Sequence, residues 1–188
     1  MKYDYDPLVV GSGPGGHRAA IAAAKLGHRV AIVDRKQMIG GVCINTGTIP
    51  SKTLREAVLY LTGYRERGMY GASYSVKQNI TIGDLMFRAN HVMTHEVEVV
   101  RAQLMRNRID VLSAEAIFLD PHAVRLHYLV GGGYRDVTAD KIIIAVGTNA
   151  TQDPHIPFDG QRIFISDDVL RLDHLPRTLS VIGAGIIG

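Results

Sequence analysis

The sequence predicts an α/β protein organised around a parallel sheet, and three observations carry that prediction. A short apolar run at 7–10 leads into a cluster of glycines, Gly11, Gly13, Gly15 and Gly16. An alanine-rich stretch of helical period follows over 17–26 and ends at Gly27, where a helix C′ glycine belongs. A second apolar run at 29–33 closes on Asp34. Strand, glycine turn, helix and strand within about 30 residues make a βαβ unit, whose crossover forces the two strands to run parallel.

Composition bounds the rest. The chain has 188 residues, 21 Lys+Arg against 18 Asp+Glu, 46% hydrophobic and 21% charged residues, which excludes intrinsic disorder. A membrane span needs about 18 consecutive apolar residues, and no such run is present. The opening MKYDYDP carries acids where a signal peptide needs a basic flank, so a cytoplasmic protein is expected. The single cysteine, Cys43, cannot build a disulfide framework or a cysteine-based zinc cluster. A net charge of +3 is too small to imply nucleic acid, and no aromatic residues interleave Arg65 and Arg67 or Arg101, Arg106 and Arg108, as a nucleic-acid stripe would need.

The remaining elements follow in order. Gly40 and Gly41 precede 42–52, and a helix is expected over 51–67 with Leu54, Val58 and Leu61 on one face. After a polar loop at 70–79, apolar residues at 85, 89, 93, 97, 100 and 104 predict a long amphipathic helix over 83–108. The period then changes, giving strands at 109–119, 123–130 and 134–138 with a hairpin turn at 131–133, and a buried strand at 141–146 stopping at Gly147. The stretch 148–162 reads as linker, Ser166 as a helix cap, and 178–182 as a further buried strand before Gly183, Gly185 and Gly188. This divides the chain into a domain at 1–150, a linker at 151–176 and the start of a second domain at 177–188. A strand and glycine turn lacking their helix cannot cover their own apolar faces, so the sequence reads as the N-terminal piece of a longer protein.

The first glycine turn carries the chemistry. A pyrophosphate must approach a helix N-terminus closely enough to accept hydrogen bonds from backbone N–H groups, and a Cβ at Gly13 would hold it away. Gly11 permits the tight turn and Gly16 close helix–strand packing. Asp34, at the end of the second strand, can accept hydrogen bonds from both hydroxyls of a ribose and disfavours a 2′-phosphate, so FAD or NAD is expected there rather than NADP. The second turn, Gly183, Gly185 and Gly188, repeats the spacing. Two such turns suggest two dinucleotides, one flavin and one nicotinamide.

The order GSGPGG, GGVCINTGTIPSK, AVG and VIGAGIIG resembles the FAD-dependent pyridine nucleotide–disulfide oxidoreductases over the whole chain. The resemblance implies a Rossmann-like FAD-binding domain with an inserted long helix and a β-meander, followed by the first strand of an NAD(P)-binding domain. In the family's disulfide type a second cysteine stands five residues after the first. Here that residue is Thr48, so Cys43 has no partner, and the pattern looks like the family's soluble, Si-specific transhydrogenase branch, which passes hydride between NADPH and NAD+ through FAD. By resemblance, Gly11, Ser12, Gly13, Pro14, Gly15 and Gly16 would wrap the FAD pyrophosphate, and Asp34, with Arg35 beside it, the adenosine end. Gly40, Gly41 and Cys43 would line the approach to the flavin, and Lys52 would favour the reduced, anionic ring electrostatically. Ala116 would contact adenine through its backbone, Gly147 would close over the cofactor, and Gly183, Gly185 and Gly188 would serve NAD(P). Asp34 departs from the glutamate of many relatives. A homo-oligomer is implied for the full-length protein.

Other readings stand beside these. A dihydrolipoamide-dehydrogenase-like or other flavin reductase could keep its acceptor group beyond residue 188, and the 188 residues alone could be a non-catalytic nucleotide-binding piece. Cys43 could be a small inert residue and Lys52 a surface lysine. His17 could touch phosphate or sit on the surface. His91 and His95, at i and i+4, lack a third metal ligand and are better placed on a solvated helix face.

Overall fold

The computed structural model describes residues 2–35 and 38–185. Strands β1 (Tyr5–Val10) and β2 (Ala31–Asp34) flank helix α1 (Pro14–Lys25), and they pair in parallel with Leu8 opposite Ala31 and Val10 opposite Val33. The βαβ unit is therefore as expected. Leu8, Val9, Ala31 and Ile32 have no exposure, as strands covered on both faces require.

Two helices, α2 (Gly41–Asn45) and α3 (Thr48–Leu61), follow, then a 3-10 turn at Tyr64–Glu66 and the short α4 (Arg67–Tyr70). The helix expected over 51–67 thus begins at Thr48 and stops at Leu61. Pro50 lies in its first turn, where its missing N–H has no helical acceptor to lose, and Gly63, at φ +64°, turns the chain out of the helix. The long helix α5 (Ile82–Arg106) keeps the predicted stripe, with Leu85, Ala89, Val100 and Leu104 buried. Thr81 and Asp84 cap its start reciprocally: the Thr81 N–H donates to Asp84 Oδ2 (2.9 Å) and the Asp84 N–H to Thr81 Oγ1 (3.2 Å). Arg108, in the left-handed region at φ +56°, ends it, and the Ile109 N–H closes back on the Leu104 carbonyl.

The C-terminal strands regroup what the sequence suggested. The run at 109–119 is two strands, β3 (Asp110–Ser113) and β4 (Glu115–Asp120), broken at buried Ala114, whose N–H makes a last bond to the Asp34 carbonyl before the chain leaves β2. Strand β5 (Ala123–His127) ends earlier than predicted. The runs at 134–138 and 141–146 are one strand, β6 (Tyr134–Ile144). The first part of β6 pairs antiparallel with β5 and the second, from Ala139, parallel with β1. The sheet order is β3-β2-β1-β6-β5-β4. Val124, Leu126, Val137 and Ala139 of the meander share one buried cluster with Tyr5, Leu8, Ala31 and Val33. The hairpin turn falls at Gly131, Gly132 and Gly133 as expected, all three at positive φ.

The expected strand at 178–182 is not formed, and Ile182 is fully exposed. An isolated strand leaves both its backbone bonds and its apolar faces unsatisfied, and no neighbour among the described residues supplies either. The helix start expected at Ser166 is a 3-10 turn, Ser166–Arg171, in which the Asp168 carboxylate, not the Ser166 hydroxyl, accepts the capping N–H, that of Ile165.

By compactness the chain forms two units. One comprises Met1–Thr48 with Met93–Thr148, the other Ile49–Val92 with Asn149–Gly188. The sheet and its glycine turn belong to the first.

Candidate functional site

β1 ends at Val10, and the chain turns at Gly11 with φ +102°. The Gly11 N–H donates to the Val33 carbonyl and the Ala145 N–H to the Val10 carbonyl, both at 2.8 Å, so the turn begins still tied to the sheet on both sides. A Cβ on Gly11 would run into the Ala145 carbonyl, and one on Gly16 into the Gly11 carbonyl. These two glycines answer to the protein's own packing.

Gly13 and Gly15 do not. Gly13 is the N-cap of α1 in extended backbone (φ −60°, ψ 178°), and a Cβ there would meet only the Gly41 Cα, at 3.9 Å. At Gly15 a Cβ would meet nothing within 4 Å. A glycine inside a helix costs about 0.5–1 kcal/mol relative to alanine, and no contact among the described residues requires that cost at Gly15. The space over the turn is kept clear by residues that gain nothing from it internally. The first-turn N–H groups of Gly15 and Gly16 lack helical acceptors, Pro14 has no N–H, and no acidic side chain stands in the first turn. An anion fits such a cradle, and the residues present therefore suit a dinucleotide diphosphate.

Asp34, half-buried at the end of β2, is bound into this turn. Its Oδ2 accepts hydrogen bonds from the Ser12 N–H and the Ser12 hydroxyl, both at 2.6 Å, and its Oδ1 accepts one from the Arg35 N–H at 2.8 Å. Ser12 has no exposure. Its Oγ also accepts the Gly40 N–H at 3.0 Å, which ties the turn to the next glycine pair. Gly40 and Gly41 both have positive φ, and a Cβ on Gly41 would lie 2.7 Å from the Gly13 Cα, so the two glycine segments touch backbone to backbone. Asn45 fastens this loop by donating to the Ile39 and Gly41 carbonyls. Cys43 is a half-buried free thiol on α2.

The structure thus brings Gly11, Ser12, Gly13, Pro14, Gly15, Gly16, Asp34, Arg35, Gly40, Gly41 and Cys43 into one compact unit. Ala145 and Val146 pass directly beside Gly11, and Gly147 (φ +67°) follows them. Ala116 is half-buried on β4 opposite Leu126; β4 is the edge of the sheet, so one side of its backbone pairs with no strand among the described residues. Lys52 is exposed on α3, in the second unit. Gly183 and Gly185 are exposed, with no atom of the described residues within 4 Å of either Cβ position, and Gly188 lies outside the described residues.

Sequence reasoning missed three features. The Ser12 hydroxyl bridges Asp34 and Gly40. Asn45 clamps the second glycine loop. His17 is buried, its Nδ1 has no hydrogen-bond partner among the described residues, and burial pushes its pKa below the ordinary 6.5. No local pattern could have signalled the first, because it joins segments 22 and 28 residues apart, whereas the Asn45 clamp is local and reaches back only six and four residues. Among the described residues no group of three or more His, Cys, Asp or Glu could hold a metal ion, and no helix is long and apolar enough to cross a membrane.

The sheet order, the βαβ unit and the glycine turn at its switch define a Rossmann-like α/β protein. Comparison with known proteins narrows this. The family model described as pyridine nucleotide-disulphide oxidoreductase matches residues 5–188, and the chain belongs to that family. It is 55% identical over 185 residues to a protein of Mycobacterium bovis named soluble pyridine nucleotide transhydrogenase, covering 98% of this chain and 40% of that protein. It is 35% identical over 187 residues to one of the same name from Pectobacterium atrosepticum, covering all of this chain and again 40% of the relative. Among solved structures, the HOCl-induced flavoprotein disulfide reductase RclA of Escherichia coli superposes with a TM-score of 0.71 at 28% identity, over 92% of this chain and 35% of that one. The chain therefore spans about two fifths of the length of the curated relatives it matches.

Proposed function

We propose that the full-length protein is an FAD-dependent oxidoreductase that transfers hydride from NADPH to NAD+, and in reverse, giving NADP+ and NADH. The observation that carries the reading is Thr48: it opens α3 at the position where the family resemblance puts the second redox cysteine, and Cys43 is left as a lone thiol. A threonine hydroxyl cannot be oxidised to a disulfide. The names of the transhydrogenase relatives support the same reading.

Bound FAD would supply a ring that accepts hydride from one nicotinamide and returns it to another, with almost no intrinsic driving force because the two nicotinamides are chemically alike. The chain's own part is binding and placement. The Gly15 and Gly16 N–H groups and the positive end of α1 would hold the diphosphate, and Asp34 the adenosine ribose. Gly40, Gly41 and Cys43 would border the flavin, Ala116 would contact adenine, Gly147 would close over the cofactor, and Lys52 would add positive charge that favours the reduced cofactor. Gly183, Gly185 and Gly188 would receive the nicotinamide dinucleotide in the longer protein, and a homo-oligomer is proposed for it.

The test is to purify the full-length protein and supply NADPH with an NAD+ analogue and no thiol substrate. A yellow protein that reduces the analogue is the expected result. No turnover with FAD bound would remove the proposal. Cys43→Ser should retain at least half the rate; complete loss would point instead to thiol chemistry, the reading favoured by the structural likeness to a disulfide reductase.

A further inference from the structure

His17 is a buried titratable group that the proposed hydride transfer does not use. It stands about one turn past Gly13, the N-cap of α1, and its N–H donates to the Gly13 carbonyl at 3.0 Å. Side chains on a helix lean toward its N-terminus, which carries this ring back beneath the phosphate turn. There the Gly13 and Ser12 carbonyls face it and favour its proton. The other influences oppose the proton. The ring is buried, its Nδ1 has no hydrogen-bond partner among the described residues, and exposed Arg18 repels a second positive charge. The positive end of the α1 dipole acts in the same direction.

No carboxylate among the described residues counters these influences. Helix α1 packs on β1 and β2, whose titratable groups are Tyr5, Asp6 and Asp34. Tyr5 and Asp6 open β1, at the end away from the turn, and Asp34 is hydrogen-bonded to Ser12. Gly41, whose backbone touches Gly13, opens α2, where Cys43 is the one titratable side chain. With no anion on the turn, the imidazole is therefore neutral at neutral pH. A dinucleotide diphosphate reverses the balance. It is a diester that keeps its negative charges from pH 8 to pH 5, and it would lie at the N-terminus of α1, a turn away from His17. The ring is already desolvated before such a ligand arrives, so the ligand brings charge with little added burial, and poor screening makes that charge effective.

We propose that FAD binding and protonation of His17 are coupled: the diphosphate draws a proton from solvent onto the buried imidazole, which becomes the cation behind the phosphate turn. The proposal rests on the FAD reading above and adds a proton to it. By linkage, a ring that holds its proton more strongly in the complex than in the free protein makes FAD bind more tightly as the pH falls.

The experiment uses the full-length protein stripped of FAD and titrated calorimetrically with FAD at pH 8 and at pH 5.5, the latter in two buffers of different ionisation enthalpy. Binding about fivefold tighter at pH 5.5, with proton uptake revealed by the difference between buffers, is the expected result; tenfold would correspond to about one pKa unit. His17→Leu should lose both the gain and the uptake, and so should His17→Gln, which keeps a polar side chain of similar size where leucine might not fold. Zero uptake or proton release in the wild-type protein would overturn the proposal while leaving FAD binding intact. Uptake that persists in either folded variant would assign the proton to another group and overturn it as well. Failure of the wild-type protein to bind FAD at either pH would remove the FAD reading together with the proposal.

Discussion

The chain carries the same glycine spacing twice, at 11–16 and at 183–188, and the surroundings of the first differ from those of the second as far as the latter is described, to Gly185. The first is bonded to β2 through Gly11, lies against Ala145, and opens a twelve-residue helix. The second follows a run that forms no strand, and at Gly183 and Gly185 a Cβ would meet nothing within 4 Å among the described residues. A glycine motif is thus a permission granted by the missing Cβ. It becomes a site only where a sheet and a helix press the backbone into place around it.

That contrast can be broken by substitution. Gly16→Ala drives a Cβ into the Gly11 carbonyl and should destabilise this chain by about 3 kcal/mol or more, since backbone cannot move aside as a side chain can. Gly185→Ala should change stability by less than about 0.5 kcal/mol. Urea denaturation of the two variants checks both, and equal effects would erase the distinction drawn between the turns.

Gly13→Ala sharpens the contrast within the first turn. With only the Gly41 Cα nearby, the added methyl should alter stability by no more than about 1 kcal/mol. The same methyl would intrude on the diphosphate, and FAD affinity of the full-length protein should fall about 100-fold, the loss of one or two charge-assisted bonds. A stable variant that keeps wild-type affinity would show that the cleared space is not the cofactor's.

The smallest expected effect concerns His17, one residue past the first turn. Its folded pKa lies below the ordinary 6.5 because burial disfavours the charged ring, so below pH 6.5 the unfolded chain binds the proton more readily. Stability should therefore fall as the pH drops through 6.5 toward the folded value. In His17→Leu that part of the slope should vanish, and denaturation midpoints from pH 8 to pH 5 measure it. An identical slope in the variant would assign the pH dependence to other groups.

The legible parts of this fold were those with a local cause. Apolar runs bounded by glycine marked β1 and β2, steps of four and three marked the α5 stripe, and three successive glycines marked the hairpin. Less legible was any decision made by a distant neighbour. Nothing local says that the run at 109–119 must break at Ala114, because the break occurs where the β2 edge ends and the meander begins. Nor does 178–182, rich in apolar residues, reveal that it pairs with no strand among the described residues.

The site divides the same way. By itself the sequence determined where the chain could approach an anion, since glycine and proline act through their own backbone, and it determined the chemistry withheld at Thr48, since a residue either carries sulfur or does not. Only the tertiary structure decided which glycines serve packing and which leave space. It alone decided that Asp34 is bonded to Ser12 and Ser12 to Gly40, because those partners are groups that folding brings together from 22 and more residues away.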